Sequence, residues 1–178
     1  MLLLLAAHVG PTVPLAPLAA NASVRLEAGV VLPQLGGRIA PMLFGGYAGP
    51  VLEGESTDGR LGDGYAFTVV QKELTLGLGA TVRLFPAEAK WNPELTIGPT
   101  VQFLETVASG SSAGGAIGTT TEHYAQAGFL VAAGAGVRLG PGALTVQVGY
   151  AGAGLDGLLT GESTTGAFNP TVGYRVGL

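Results

Sequence analysis

One histidine near a serine-rich segment is the first place in this sequence where residue types could support chemistry. His123 follows a run that carries three serines, Ser109, Ser111 and Ser112. A serine nucleophile needs a base within hydrogen-bond reach, and histidine is a common base. Proximity in the sequence does not supply that contact. We therefore interpret His123 as a solvated histidine near a strand end, with nucleophilic catalysis as the alternative.

An acidic, glycine-rich segment is the second candidate for chemistry. Residues 49–64 include Glu55, Asp58 and Asp63, which could wrap a calcium ion. Their spacing differs from that of an EF-hand, so we predict a solvated loop and no metal site. Residues 134–140, GAGVRLG, have the glycines of a phosphate-binding turn, but they lie in a predicted strand that no helix follows. No cofactor is therefore expected.

The composition excludes several classes of protein. The chain has 178 residues and no cysteine, which excludes disulfides and thiolate metal sites. Its net charge of −4 gives no basic stripe, so we expect no nucleic-acid partner. Only 11% of the residues are charged, 47% are hydrophobic, and the mean hydropathy is +0.45. No stretch reads as a membrane-spanning helix, so if this chain enters a membrane, a closed β-barrel is the remaining option.

Apolar residues alternate with small or polar ones along most of the chain, as in strands with one apolar face. Residues 73–85 are a clear example, with an apolar residue at every second position. The residues between them are glutamate, glycine, threonine and arginine, which suit the inside of a narrow barrel. We predict that the apolar residues face lipid. The lipid-facing residues assigned on this basis are Leu74, Leu76, Leu78, Val82, Leu84, Val131, Val146 and Val148.

The predicted connections between strands are of two kinds. Short turns alternate with longer polar segments, an asymmetry typical of outer-membrane barrels with short periplasmic turns and long extracellular loops. The short turns are 33–37, 86–93 and 139–142, and the longer connections are 49–64, 107–120 and 155–166.

The N-terminal segment decides the strand count. Residues 1–22 combine a short apolar run, a small-residue motif that resembles a cleavage site, and three prolines that disfavour a strand. We interpret them as a signal remnant or a poorly formed first strand, and residues 23–178 as the β-barrel domain. Because bacterial barrels have an even number of strands, we favour eight, with the first poorly formed or built from about residues 8–20. The seven evident strands are 23–32, 38–48, 65–85, 94–106, 121–138, 143–154 and 167–178.

Several charged residues fall on the inward faces, mostly close to the predicted short turns. An unpaired charge inside a barrel is costly, so these side chains should pair with one another. We predict a charge network in the lumen, with Glu73 lying higher than the rest. Its members are Arg38, Glu73, Arg83, Glu94, Arg138 and Arg175.

At this point the chain resembles the small outer-membrane β-barrels of Gram-negative bacteria, of the OmpA-domain and OmpX type. The resemblance covers about residues 23–178 and is one of architecture. Its sharpest local element is the C-terminal VGYRVGL, where Tyr174, Val176 and Leu178 hold the alternating places and Leu178 replaces the family's terminal Phe. The resemblance implies an all-β, up-and-down antiparallel transmembrane barrel in the outer membrane. It also implies that the barrel assembly machinery reads the C-terminal strand.

A barrel of eight strands has an interior filled by side chains, so we expect no open pore. We expect a structural or interaction role, exerted through the longer connections, by a monomer surrounded by outer-membrane lipid. Three alternatives stay open. One is a lipid-modifying enzyme of the deacylase or acyltransferase type centred on His123. The others are a narrow channel for small solutes and a soluble barrel or sandwich whose leucines face inward.

Overall fold

The computed structural model describes residues 2–15, 17–57, 64–154 and 165–177. Most of these residues lie in antiparallel strands, and the described part also contains a 3-10 turn at Pro33–Leu35. No helix among the described residues is long and apolar enough to cross a membrane. The strands are β1 (Leu2–Pro14), β2 (Asn21–Val31), β3 (Ile39–Ala48), β4 (Val51–Thr57), β5 (Gly64–Arg83), β6 (Trp91–Ser112), β7 (Gly115–Leu139), β8 (Gly142–Ala153) and β9 (Ala167–Gly177).

The sheet closes on itself. Its order is β3-β2-β1-β9-β8-β7-β6-β5-β4, and β3 also pairs with β5. β3 pairs with the half of β5 that follows Lys72, and β4 pairs with the half that precedes Gln71. Gly49 and Pro50 therefore interrupt what is one long strand of the ring. The ring has eight strands, and the predicted up-and-down barrel of eight strands is confirmed.

Strand β1 closes the ring between β2 and β9. Its ladder with β2 covers nearly the whole strand. Its ladder with β9 runs from Leu4 to Val9, breaks, and resumes at Val13. Pro11 falls in the break, where the ladder requires no N–H group, so the proline is accommodated.

The eighth strand thus occupies Leu2–Pro14 and not residues 8–20, where we predicted it. The leucine run hides the alternation because both faces of the strand are apolar there. Leu4 points inward and packs against Val31 and Ala40, whereas its neighbours point outward. The division of the chain into a segment 1–22 and a barrel domain 23–178 stays a prediction.

Side chains alternate between the outside of the barrel and its lumen. The eight residues assigned to the lipid-facing surface all lie on the outside, each at least 40% exposed. The inward positions of the same strands are buried, as Gln71, Thr81 and Arg83 of β5 show. The barrel therefore has an apolar exterior and a polar interior, the reverse of a soluble sandwich.

The three predicted short turns, 33–37, 86–93 and 139–142, lie at one end of the barrel, which we call the turn end; the opposite end is the loop end. The turn between β2 and β3 uses Gly36 and Gly37 with φ of 62° and 68°, a conformation that favours glycine. Gly140, with φ of 60°, plays the same part between β7 and β8. These glycines allow turns too tight for most other residues.

The prediction of a long polar loop at 107–120 is wrong. β6 continues to Ser112 and β7 starts at Gly115, which leaves a two-residue turn. Most serines, threonines and glycines of this segment pair across the β6–β7 hairpin, with one register shift between Gly110 and Ser111, and strand pairing overrides their turn composition. The segment 49–64 also contains a strand, β4. Of the third predicted loop, residues 155–164 lie outside the described part of the chain.

Candidate functional site

A cluster of buried polar and charged side chains crosses the lumen in the half nearer the turn end. We call it the lumen charge cluster. Its six members come from β1, β2, β6, β8 and β9, and each is at most 9% exposed. They converge because each occupies an inward position of its strand. The members are His8, Arg25, Glu27, Glu94, Gln147 and Arg175.

The strongest contact in the cluster joins Glu94 of β6 to Arg175 of β9. The Arg175 Nη1 atom donates to Glu94 Oε2 at 2.6 Å, and Nη2 donates to Oε1 at 3.0 Å. A bidentate pair of this kind is geometrically specific, because the planar guanidinium matches the planar carboxylate. It also ties together two strands that are not neighbours in the ring.

A second set of contacts extends the cluster towards β1 and β2. Arg25 Nε donates to Glu27 Oε1 at 3.0 Å, and Arg25 Nη2 donates to Gln147 Oε1. Gln147 Nε2 donates in turn to Glu94 Oε1 at 2.7 Å. His8 Nε2 lies 3.3 Å from Glu27 Oε1. The two carboxylates are thus each matched by an arginine, which is the compensation that buried charges require.

The six residues of the predicted charge network do not form one cluster in the structure. Glu94 and Arg175 meet in the cluster. Arg83 is buried near the turn end, where its Nη1 donates to Gly37 O at 3.1 Å. Arg38 and Arg138 are exposed beside the turns, and Arg138 reaches the backbone carbonyl of Glu88 at 3.4 Å. Glu73 lies apart, in the half nearer the loop end.

Four members of the cluster were missing from the predicted network. Arg25 and Glu27 stand on the inward face of a predicted strand, so their parity was a usable signal. Gln147 carries no charge and was overlooked for that reason. His8 lies in the segment that the sequence suggested as a signal remnant, and no local pattern marks it as a lumen residue.

An apolar layer lies beside the cluster in the lumen. Met42, Phe44 and Leu130 pack together, each at most 5% exposed. The Phe44 ring occupies a slot left by Gly77 on β5. A Cβ atom at Gly77 would overlap that ring and lie 2.8 Å from the Pro99 carbonyl oxygen. The missing side chain at this position is therefore what admits the ring.

Glu73 lies in a small polar chamber in the half of the lumen nearer the loop end. Gln71 Nε2 donates to the Glu73 carboxylate at 2.6 Å. Among the described residues, Glu73 makes no ion pair. Thr165 Oγ1 and Gln102 Oε1 bond across the same chamber. Its cavity is about 60 Å³, room for a few small polar species. Charge cluster, apolar layer and chamber together occupy much of the barrel interior.

A row of polar residues marks the limit of the apolar exterior on the side of the loop end, which we call its upper limit. Lys72, Glu105 and His123 stand side by side on the outer faces of β5, β6 and β7. Lys72 Nζ lies 2.7 Å from Glu105 Oε1. Below this row the outward positions are apolar, starting with Leu74 and Phe103. The row therefore lies where the bilayer interior would give way to head groups.

Above the row, four strands continue as a paired sheet, which we call the extension sheet. It consists of residues 51–57, 64–71, 106–112 and 115–122. Its two outer edges differ. The β4 edge carries Glu53 and Glu55, whereas the β7 edge reads AIGTTT over residues 116–121, with no charge and no proline.

The β7 edge has no strand partner within the described part of the chain. β7 pairs with β8 only from Gly128 onwards, so residues 115–121 have β6 on one side and no strand of the described part of the chain on the other. Backbone N–H and C=O groups of such an edge are free to pair with another strand, and natural proteins usually block them with charges or proline.

The structure does not bring His123 within reach of the nearby serines. Ser109 pairs with Thr119, four residues from His123 and hence about 13 Å away along the strand. Ser111 and Ser112 lie farther still. The contact that nucleophilic catalysis requires is not formed among these residues.

Among the described residues, the acidic segment 49–64 and the glycine-rich segment 134–140 do not form the binding sites considered from the sequence. Of the acidic loop residues, Glu55 stands exposed on β4, while Asp58 and Asp63 lie outside the described part of the chain. The GAGVRLG segment forms the end of β7 and its turn, without a phosphate-binding geometry.

No protein-family model matches this sequence, and no curated protein matches it. Solved structures do match. Neisserial surface protein A superposes with a TM-score of 0.62 at 15% identity, covering 98% of this chain and 96% of that chain. The N-terminal β-barrel domain of Pseudomonas aeruginosa OprF gives 0.57 at 10% identity, covering 98% and 97%. The attachment invasion locus protein Ail of Yersinia pestis gives 0.48 at 12%, covering 98% and 97%.

The fold is that of the small outer-membrane β-barrels. The match extends over almost the whole length of both chains, so it includes the closing seam and not only a shared hairpin. The exposed leucines and valines of the exterior suit a lipid surround. The fold and the apolar exterior support a location in the outer membrane. Identity at this level supports the fold and carries no activity from one protein to another.

Proposed function

We propose that this protein is a closed outer-membrane barrel that presents the extension sheet outside the cell and binds an extended segment of a partner protein along its β7 edge. The observation that supports this is the run of β7 at residues 115–121, which carries no charge and has no strand partner on its outer side among the described residues. Turns at the opposite end are short, which is the arrangement of a periplasmic end. The interaction role predicted from the sequence thus lies on strands, where loops were expected.

The edge suits strand addition for a physical reason. An added strand gains a ladder of backbone hydrogen bonds without displacing any existing partner, and side chains at alternate positions give specificity. Thr119, Thr120 and Thr121 are β-branched and uncharged, which favours a strand neighbour. The β4 edge lacks this character because Glu53 and Glu55 interrupt it.

The lumen does not contribute a passage in this proposal. The charge cluster crosses the barrel between β6 and β9, and the apolar layer adds a second obstruction. Purified protein in a planar bilayer should therefore show no stepwise conductance. Reproducible conductance steps would favour the narrow-channel alternative and contradict the closed lumen.

The edge can be tested with a phage-displayed library of twelve-residue random peptides, selected against the refolded chain in lipid nanodiscs. Enriched peptides should alternate β-branched or aromatic residues with polar ones. The double variant Thr119→Lys/Thr121→Lys places charges along the β7 edge and should lower the affinity of these peptides at least tenfold. Ser56→Lys, on the β4 edge, is the matched control and should leave the affinity within twofold.

Two results would contradict the proposal. One is a selection that enriches no peptide with a strand pattern. The other is an enriched set that binds the double lysine variant as tightly as the unmodified chain. Heat-dependent mobility on SDS gels serves as the folding control for every variant.

The remaining expectations about partners are proposals of the same kind. Lipid surrounds the apolar exterior, the chain acts as a monomer, and the assembly machinery recognises β9 with Tyr174 and Val176 on its outer face. Replacing Tyr174 and Val176 by serine should reduce the amount of heat-modifiable protein in outer-membrane fractions. Unchanged assembly of this variant would show that recognition lies elsewhere.

A further inference from the structure

The turn end of the lumen contains a cavity that the closed barrel and the extension sheet do not use. Its volume is about 310 Å³, and we call it the turn-end vestibule. It lies beneath the charge cluster, which contributes Glu94 and Arg175 to its lining. A cavity of this size is at the lower limit of pockets that hold small molecules.

One buried cation in the vestibule contacts no acidic side chain in the described part of the chain. Arg83 is 7% exposed, and among the described residues its side-chain hydrogen bond is the one from Nη1 to Gly37 O at 3.1 Å. Glu94 is its cross-strand neighbour, but the Glu94 carboxylate is turned to Arg175 and Gln147. The other guanidinium N–H groups of Arg83 have no acceptor among the described residues.

No neighbouring acidic side chain of the described residues contacts this charge: Glu94 and Glu27 attract it only from a distance, and Arg175 repels it. Asn92 uses its amide on the turn after β5, donating to the Phe85 and Pro86 carbonyls and accepting from the Phe85 N–H. Arg138, at the rim, adds a second positive charge. Glu88 and Lys90 are exposed in the adjoining turn and do not line the cavity. Burying an unmatched guanidinium is costly, so an anion in the vestibule would be stabilised.

The rest of the wall is apolar. It consists of aliphatic side chains from β1, β2, β8 and the turn before β6, with no further acceptor for an arginine. A ligand that filled the vestibule would therefore need a charged end for Arg83 and an apolar remainder. The apolar lining residues are Leu2, Leu4, Val31, Ala87, Ala89 and Ala143.

We propose that the turn-end vestibule binds a small organic anion, a carboxylate on a short apolar group. The carboxylate accepts hydrogen bonds from Arg83, with Arg138 providing further attraction at the rim. The apolar group lies against the aliphatic wall. Charge-assisted hydrogen bonds to a carboxylate are among the stronger ones, and a guanidinium offers them in a bidentate geometry.

The proposal is tested by titrating sodium butyrate into the refolded full chain in nanodiscs, by calorimetry and amide NMR at constant ionic strength. We expect saturable binding in the millimolar range, with shifts near Arg83, Ala89 and Ala143. Arg83→Gln should weaken it at least tenfold. Arg38→Gln removes an exposed arginine at the same end but outside the vestibule, and should change the affinity less than twofold.

Two further measurements distinguish binding in the vestibule from nonspecific electrostatic attraction of anions. Butyramide, the neutral analogue, should bind the unmodified chain at least tenfold more weakly than butyrate. Ala143→Leu leaves Arg83 in place, fills part of the cavity and should also weaken butyrate binding. Both tests remain decisive even if Arg83→Gln fails to fold, which its heat-dependent gel mobility would reveal.

Several results would overturn the proposal. They are an absence of saturable butyrate binding, equal losses in the Arg83→Gln and Arg38→Gln variants, and butyramide binding as tight as that of butyrate. Inorganic phosphate, which carries charge without an apolar group, should compete less well than butyrate. Tighter binding of phosphate would show that the aliphatic wall plays no part.

Discussion

Strand β6 passes through two regions, one in which its inward polar side chains are buried and mostly paired and one in which its polar side chains are mostly exposed. Near the turn end, Glu94 is buried and held by Arg175 and Gln147. Beyond Thr106, the same strand continues in the extension sheet, where the serines and threonines are mostly exposed and no charge pair is buried among the described residues. In the first region the Glu94 carboxylate is fully paired within the chain, whereas in the second the β7 edge at residues 115–121 has no strand partner among the described residues.

The difference between the two regions indicates that the lumen stabilises the barrel, whereas the extension sheet is free to take part in recognition. Paired charges inside the lumen are matched at fixed positions, so a change to one of them leaves its partner buried and alone. The strands of the extension sheet contribute little to the closed ring, and their sequence can vary without loss of the barrel. We therefore expect mutations to have large effects on stability in the lumen and small ones in the extension sheet.

The largest effect should come from removing one member of the bidentate pair. Arg175→Met leaves Glu94 in the lumen without its main partner, which should lower the free energy of unfolding by about 3–5 kcal/mol. Urea unfolding of the refolded chain in lipid, followed by the fluorescence of Trp91, measures this change. A loss below about 1 kcal/mol would mean that water reaches Glu94 and that the cluster is not sealed.

Removing both partners should cost less than removing one. In the Glu94→Met/Arg175→Met variant no charge of the pair remains buried, so at least half of the stability lost in Arg175→Met should return. The same unfolding experiment gives the value. If the double variant were less stable than the single one, the pair would act through its shape and not through charge compensation.

A smaller effect is expected in the apolar layer. Gly77→Ala forces a methyl group into the Phe44 ring and the Pro99 carbonyl, and should destabilise the barrel by about 1–3 kcal/mol. Gly46→Ala is the matched control, because its Cβ would meet no atom closer than 3.5 Å. Equal effects of the two changes would contradict the role assigned to Gly77.

The smallest effect concerns the pair at the upper limit of the apolar exterior. Lys72 and Glu105 are in contact at 2.7 Å but both side chains are well exposed, so solvent screens the pair. Lys72→Ala should leave the unfolding midpoint unchanged within error. A clear loss of stability would place this row inside the low-dielectric part of the bilayer.

Much of the fold follows from the alternating pattern of residues. Residues 73–85 identify their outward and inward faces by composition alone, and the strand ladder preserves that parity. The same parity brings Glu94 and Arg175 into the lumen. Their direct pairing could not be predicted, because it depends on how far each strand is staggered relative to the others around the ring.

The wrong predictions for residues 2–14 and 107–120 have a common cause. Residues 2–14 and 107–120 both lack a clear alternation, the first because apolar residues occupy both faces and the second because small polar residues do. Each becomes a strand because neighbours on the ring or in the hairpin supply backbone partners. Composition alone predicts such segments poorly, since tertiary pairing outweighs local preference.

β1 closes the ring between β2 and β9, and gel mobility tests that closure most directly. The full chain and a version limited to residues 23–178 would be refolded in detergent and run on SDS gels with and without boiling. We predict a heat-dependent shift for the full chain and none for the shorter one, which lacks the strand between β2 and β9. An equal shift in both would show that the barrel closes without residues 2–14, which would contradict this structure of the seam.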